Sequence, residues 1–148
     1  MYKKSKIKNN ITDYFISMKF TTKQITVRYS ETDQMQFVHH SNYLKYFEIA
    51  RLQWLSVLDI SYADMEKEGI LMPVVSAFTN FKKPLFFGDH FQINVILRKT
   101  PTATIEFDYI IFNQKDEVIC EGNTVLAFLS PKTKRPMRCP KTLLEKFI

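Results

Sequence analysis

Three glycines in 148 residues leave no glycine-rich loop that could cradle a phosphate. Cysteine is as scarce. Cys120 and Cys139 do not make a disulfide framework, and with only three histidines in the chain no metal-ligand spacing appears. Both cysteines read as free thiols in a reducing cytoplasm. No apolar run approaches the roughly 20 residues of a membrane span. The N-terminal lysines are not followed by an apolar stretch of the secretory kind. A Gly-x-Ser-x-Gly elbow is absent, so serine-triad chemistry has no support. Repeats and low-complexity segments are absent too.

What is present suits one globular domain. Apolar residues make up 45% and aromatics 14%, enough for a sizeable core in a chain of this length. The net charge of +6 is uneven: residues 1–28 carry +6 and residues 131–148 carry +5, which leaves −5 for the part between. Basic ends on a mildly acidic domain suit attraction of a phosphorylated cofactor or an acidic carrier protein. Nucleic-acid binding is not expected, because no element interleaves basic and aromatic residues as base stacking requires.

Residues 1–17 are Lys- and Asn-rich, then amphipathic, and read as an extension preceding a domain over 18–148. Lys19–Tyr29 reads as a first strand, with Ile25, Val27 and Tyr29 on one face. Tyr43, Phe47, Ala50, Trp54 and Leu58 recur at spacings of 4, 3, 4 and 4, which predicts a helix over Asn42–Leu58 with one apolar stripe. Ser41 or Asn42 is its expected N-cap. Ser61 and Asp64 suggest a capping box opening a short helix that ends at Gly69. The remainder reads as strands. Val74–Phe81 is a compact apolar run, Phe91–Leu97 and Ile105–Ile111 alternate strictly, and Val118–Ser130 is long enough to need a bulge, expected at Gly122-Asn123. The class is α+β.

The stretch Val27–Arg51 carries the chemistry. A strand stops at Ser30-Glu31-Thr32-Asp33, a loop with His39 and His40 follows, and the helix begins. A carboxylate and two imidazoles therefore lie just before a helix N-terminus, with its unpaired N–H groups and partial positive charge. A base beside fixed donors is what acyl hydrolysis needs. From the residues alone, Asp33 reads either as a turn cap or as that base. His40 reads as a loop histidine or a group acting on substrate, and Tyr29 as a core aromatic or a wall of the site. Glu48 reads as a helix carboxylate or as the i, i+3 partner of Arg51.

Tyr29, Thr32-Asp33, His40, Tyr43 and Glu48-Ile49-Ala50-Arg51, continued by Pro73-Val74-Val75, Phe87-Gly88-Asp89 and Asn123–Ser130, resemble the hotdog-fold acyl-CoA thioesterases. The branch is that of the 4-hydroxybenzoyl-CoA and Tol-Pal-associated enzymes. One departure is Gln36, where that pattern has glycine. The resemblance implies an antiparallel sheet wrapped around one long helix, and hydrolysis of acyl-CoA to a carboxylic acid and CoA without a cofactor or metal. It implies Asp33 as general base or nucleophile, with His40 and Tyr29 beside it. His39, Ser41, Asn42 and Tyr43 would contact substrate, with backbone N–H groups over His40–Tyr43 holding the oxyanion. It further implies a homodimer or homotetramer with sheets joined edge to edge. The rivals are an acyl-carrier-protein thioesterase, an enoyl-thioester dehydratase or hydratase relying on Glu48, and a non-catalytic acyl-thioester binding protein.

Overall fold

The computed structural model describes residues 18–147, so the expected extension over 1–17 lies outside the described residues. The chain runs β1 (Lys19–Thr21), β2 (Ile25–Thr26), a 3-10 turn (Tyr29–Glu31), α1 (Asn42–Val57), α2 (Tyr62–Lys67), β3 (Val74–Phe81), β4 (His90–Leu97), β5 (Thr104–Asn113), β6 (Val118–Ala127) and a short α3 (Lys141–Leu144). The strands form one antiparallel sheet of order β1-β4-β5-β6-β3, with β2 also on β4.

The alternation of β4 and β5 works as the period-2 pattern requires. Phe91, Ile93, Val95 and Leu97 point inward with Ile105, Phe107, Tyr109 and Ile111. The α1 stripe covers them. Tyr43, Phe47, Ala50 and Trp54 are buried, joined by Tyr46 and Leu55. Phe47 stacks on Tyr109 with ring centroids 4.3 Å apart and planes 12° from parallel. Each such aromatic contributes about 1.5–3 kcal/mol on full burial. Phe47 reaches the sheet because β6 has glycine there: a Cβ on Gly122 would stand 2.3 Å from Phe47 Cζ.

Three local expectations are corrected. Lys19–Tyr29 is not one strand. It breaks after Thr21, where buried Thr22 turns its hydroxyl to the Ile93 N–H at 3.0 Å, and Tyr29 lies in the 3-10 turn. The bulge is not at Gly122-Asn123, which pair in register with Tyr109 and Asp108. The register shift falls between Ile111 and Phe112, opposite Ile119, so that Ile119 and Cys120 are both buried. The missing side chain at Gly122 serves the helix, not a bulge. The Glu48–Arg51 pair is also absent among the described residues. Arg51 Nη1 donates instead to the Tyr109 hydroxyl at 3.0 Å and lies 3.5 Å from Thr124 Oγ1.

Other expectations hold. Ser61 Oγ accepts from the Asp64 N–H at 3.1 Å, which is one half of the expected capping box; the return bond from the Asp64 carboxylate is absent among the described residues, and Gly69 follows α2 at φ +78°. Cys120 and Cys139 are free and buried. Burial pushes each thiol up to about 11, which leaves both protonated at neutral pH. The apolar run Val74–Phe81 is a strand, but it lies at the sheet edge with most of its side chains exposed.

Gly122→Ala is expected to lower the unfolding free energy by about 1–3 kcal/mol, the usual range for overpacking. Denaturant titration measures it, and Phe47→Leu in the same background should recover part of the loss.

Candidate active site

The loop between the 3-10 turn and α1 is folded by its own backbone. The Asp33 N–H donates to the Phe37 carbonyl at 3.1 Å, and the Gln36 N–H donates to the Asp33 carbonyl at 2.9 Å. This tight reversal puts Gln36 at φ 69°, a conformation suited to glycine. The departure noted in the sequence therefore carries local backbone strain. The Val38 N–H donates to the Leu85 carbonyl at 2.8 Å, which ties the loop to the segment after β3.

Asp33 is half-buried on the wall between two concavities. The first, about 350 Å³, is lined by Met35, Phe37, His40, Tyr43 and Phe81 with Lys82 and Lys83 at its edge. The second, about 730 Å³, includes Tyr29, Gln34, Phe86 and Phe87. Asp33 Oδ1 accepts from the Met35 N–H at 2.8 Å, the turn-forming bond expected of an Asp in this setting. Oδ2 has no hydrogen-bond partner among the described residues. Lys83 pairs with Glu117.

His40 is exposed and lines the first cavity with Tyr43. Burial first, and Cys120 second, hold the Tyr43 phenol far above its ordinary value, so it stays a neutral hydroxyl. The backbone donors at the start of α1 are unequal. The Asn42 and Tyr43 N–H groups donate to the carbonyls of His39 and His40, and the Ser41 N–H donates to His39 Nδ1 at 3.2 Å. The His40 N–H has no acceptor among the described residues, and it lies in the first turn of the approach to a 16-residue helix. That open donor, two residues before the helix, suits an anionic oxygen.

His39, Ser41 and Asn42 do not line the Asp33 cavity. The Ser41 hydroxyl lies 2.8 Å from His39 Nδ1. Ser41 is the residue before α1 but makes no side-chain cap. Asn42 Nδ2 donates to the Glu31 carbonyl at 2.9 Å. Tyr29 is 77% exposed, set edge-on to Phe87 in the second concavity rather than beside His40. Glu48 is exposed and lines other cavities with Arg51 and Leu52, not the one holding Asp33.

The described residues include no group of three or more His, Cys, Asp or Glu able to hold a metal, and no helix long and apolar enough to cross a membrane. Comparison with known proteins bears on what this arrangement is. Residues 27–147 match the model of the thioesterase-like superfamily.

The chain belongs to the thioesterase-like superfamily.

Its relatives agree. The acyl-CoA thioesterase YneP of Bacillus subtilis (strain 168), itself a provisional assignment, is 32% identical over 124 residues, 84% of this chain and 90% of that protein. The acyl-CoA thioester hydrolase YbgC of Escherichia coli O157:H7 is 21% identical over 123 residues, 83% and 92% of the two chains. The crystal structure of a DHNA-CoA thioesterase from Staphylococcus aureus superposes with a TM-score of 0.77 at 38% identity, covering 81% of this chain and 80% of that one. The fold is the hotdog, and the thioesterase is a thioester hydrolase by family.

One residue near the site was not singled out from the sequence. Glu31 is buried, two residues before Asp33. Its carboxylate accepts from the Arg28 N–H at 2.9 Å, Arg28 Nε at 3.2 Å and the Tyr46 hydroxyl at 2.8 Å. The available signal was the opposite charges of Arg28 and Glu31 three residues apart, just before the turn.

Gln36→Gly in this thioesterase is expected to raise the unfolding free energy by about 1 kcal/mol, because glycine adopts positive φ without steric cost. Chemical denaturation of the two proteins measures the difference.

Proposed function

We propose that the thioesterase hydrolyses acyl-CoA with Asp33 as general base. The observation that carries this reading is one cavity lined by both Asp33 and His40, where a carboxylate oxygen and a backbone N–H just before a long helix have no partner among the described residues. Water attacks the thioester carbonyl and gives its proton to Asp33. Negative charge develops on the carbonyl oxygen and is held by the His40 N–H and the helix terminus. The carbon–sulfur bond breaks, the thiolate leaves and takes up a proton, and the products are a carboxylic acid and CoA. A thiolate is a good leaving group, so the step requires no cofactor. Lys82, which lines the cavity beside the Glu117-paired Lys83, suits a phosphate of CoA. His40 and Tyr43 would border the acyl group, and Tyr29 the open approach beyond Asp33. The two buried free thiols support a cytoplasmic setting.

The dehydratase alternative needs a helix carboxylate paired with a histidine. Glu48 and His40 line different cavities, so nothing favours it.

The working unit is a homodimer in this reading. β3 ends the sheet, and Val74, Val75, Phe78 and Phe81 are exposed along it, next to exposed Leu44, Ile49 and Leu52 on α1. A long apolar edge strand left bare would aggregate. Antiparallel pairing of β3 with a second copy satisfies the edge and obeys two-fold symmetry.

Asp33→Asn should lower kcat by at least ~10²-fold, the usual scale for a positioned base. Asparagine keeps an oxygen for the Met35 N–H, so the turn should survive, and circular dichroism checks that it does. Glu48→Gln should change kcat little. A thiol-release assay with acyl-CoAs from acetyl to palmitoyl, and one aromatic acyl-CoA, supplies the rates. Wild-type turnover by Asp33→Asn would sink the mechanism. Light scattering should give a dimer or larger at micromolar concentration, and Phe78→Asp should shift it toward monomer.

A further inference from the structure

Glu31, two residues before Asp33, is bonded both to Arg28 and to residues at the start of α1. Its carboxylate gathers three donors from two elements: the backbone and guanidinium of Arg28, before the 3-10 turn, and the hydroxyl of Tyr46, in the second turn of α1. Its backbone carbonyl takes two more. The His39 N–H donates to it at 2.9 Å and Asn42 Nδ2 at 2.9 Å. The side chain thus ties the turn to the helix, and the main chain ties the turn to the residues that open the helix. Asp33 is two residues downstream. The donor left open, the His40 N–H, belongs to the peptide next to the one Glu31 holds.

A buried carboxylate is an expensive way to build a turn unless every lone pair is used. Here the donors are supplied, and the Tyr46 phenol is held as a neutral donor. Burial first, and its bond to Glu31 second, push its pKa far up. The network is directional. It fixes the strand end, the turn and the helix start relative to one another, and these carry the base and the oxyanion donor.

We infer that Glu31 is a positioning residue that sets the distance between the Asp33 carboxylate and the His40 N–H. The inference rests on the thioesterase reading of the Asp33 cavity. Glu31 touches no reacting atom. Its effect is on how often the base and the donor are in register, so it acts on kcat and leaves substrate binding alone.

The test uses the full chain with Glu31→Gln, Tyr46→Phe and the double variant. Two quantities are measured: kcat and KM per folded enzyme with an acyl-CoA, and hydrogen exchange of the His39 amide. Tyr46→Phe should lower kcat about 3- to 10-fold and Glu31→Gln about 10- to 100-fold, with KM within about twofold. His39 exchange should quicken by at least about tenfold in each. The double variant should match Glu31→Gln, because Tyr46 acts through it. Lower thermal stability with wild-type kcat per folded enzyme would mean a purely structural role and would overturn the inference. So would multiplied losses in the double variant. If Glu31→Gln does not fold, Tyr46→Phe decides by the same kcat and exchange criteria. If the wild-type chain hydrolyses no acyl-CoA, the thioesterase reading fails by itself. The clamp is then judged on exchange, and unchanged His39 protection in Tyr46→Phe overturns it.

Discussion

The seat of Phe47 in the gap above Gly122 governs the architecture. A strand with a Cβ at that point could not approach, and the ring could not lie flat on Tyr109. This contact fixes both the height and the rotation of α1 on the sheet. Ala50 and Trp54 then fall inward on the following turns, and Trp54 meets Phe107 and Phe147 edge-on. Tyr43, one turn before Phe47, is carried over the end of β3 and meets Phe81 with centroids 4.9 Å apart. The cavity beside Asp33 is walled by Tyr43 of α1 and Phe81 of β3. The polar end of the stack is satisfied too, since the Tyr109 hydroxyl is shared by Thr124 at 2.6 Å and Arg51 at 3.0 Å.

In the proposed mechanism, structural and chemical duties are divided within single residues. One Asp33 oxygen holds the turn, and the other has no partner among the described residues. The first backbone N–H groups of the helix approach are taken by neighbouring carbonyls and by His39, except at His40. The turn costs backbone strain at Gln36. Strain of that kind persists only where the surroundings hold the loop. The Glu31 network on one side and the Val38–Leu85 bond on the other supply that hold.

β3 shows how the same apolar content can serve two ends. A run such as Val74–Phe81 is indistinguishable, by composition, from a buried core strand. It occupies the sheet edge because β6 already pairs with β5 on its other side. Its outer edge has no strand partner among the described residues, and most of its side chains are exposed. That exposed apolar character is the reason a homodimer is proposed.

By itself, the sequence determined the elements whose pattern is local. The stripe on α1, the alternation of β4 and β5, the Ser61 cap and the free thiols follow from period and chemistry that neighbours along the chain decide. It also brought Asp33, His40 and Tyr43 to one turn and one helix end, since only ten residues separate the first from the last. Tertiary structure decided what depends on distant segments. Gly122 reads as a bulge until Phe47 is known to lie against it, and Arg51 reads as a partner of Glu48 until Tyr109 and Thr124 are brought beneath it. Tyr29 alternates correctly with Val27, yet the strand stops short of it and the ring turns outward to Phe87. Glu31 looked like any turn residue because its partners on α1 come from a helix that packs back over it. Pairwise contacts across the fold, not the composition of either segment, set those roles.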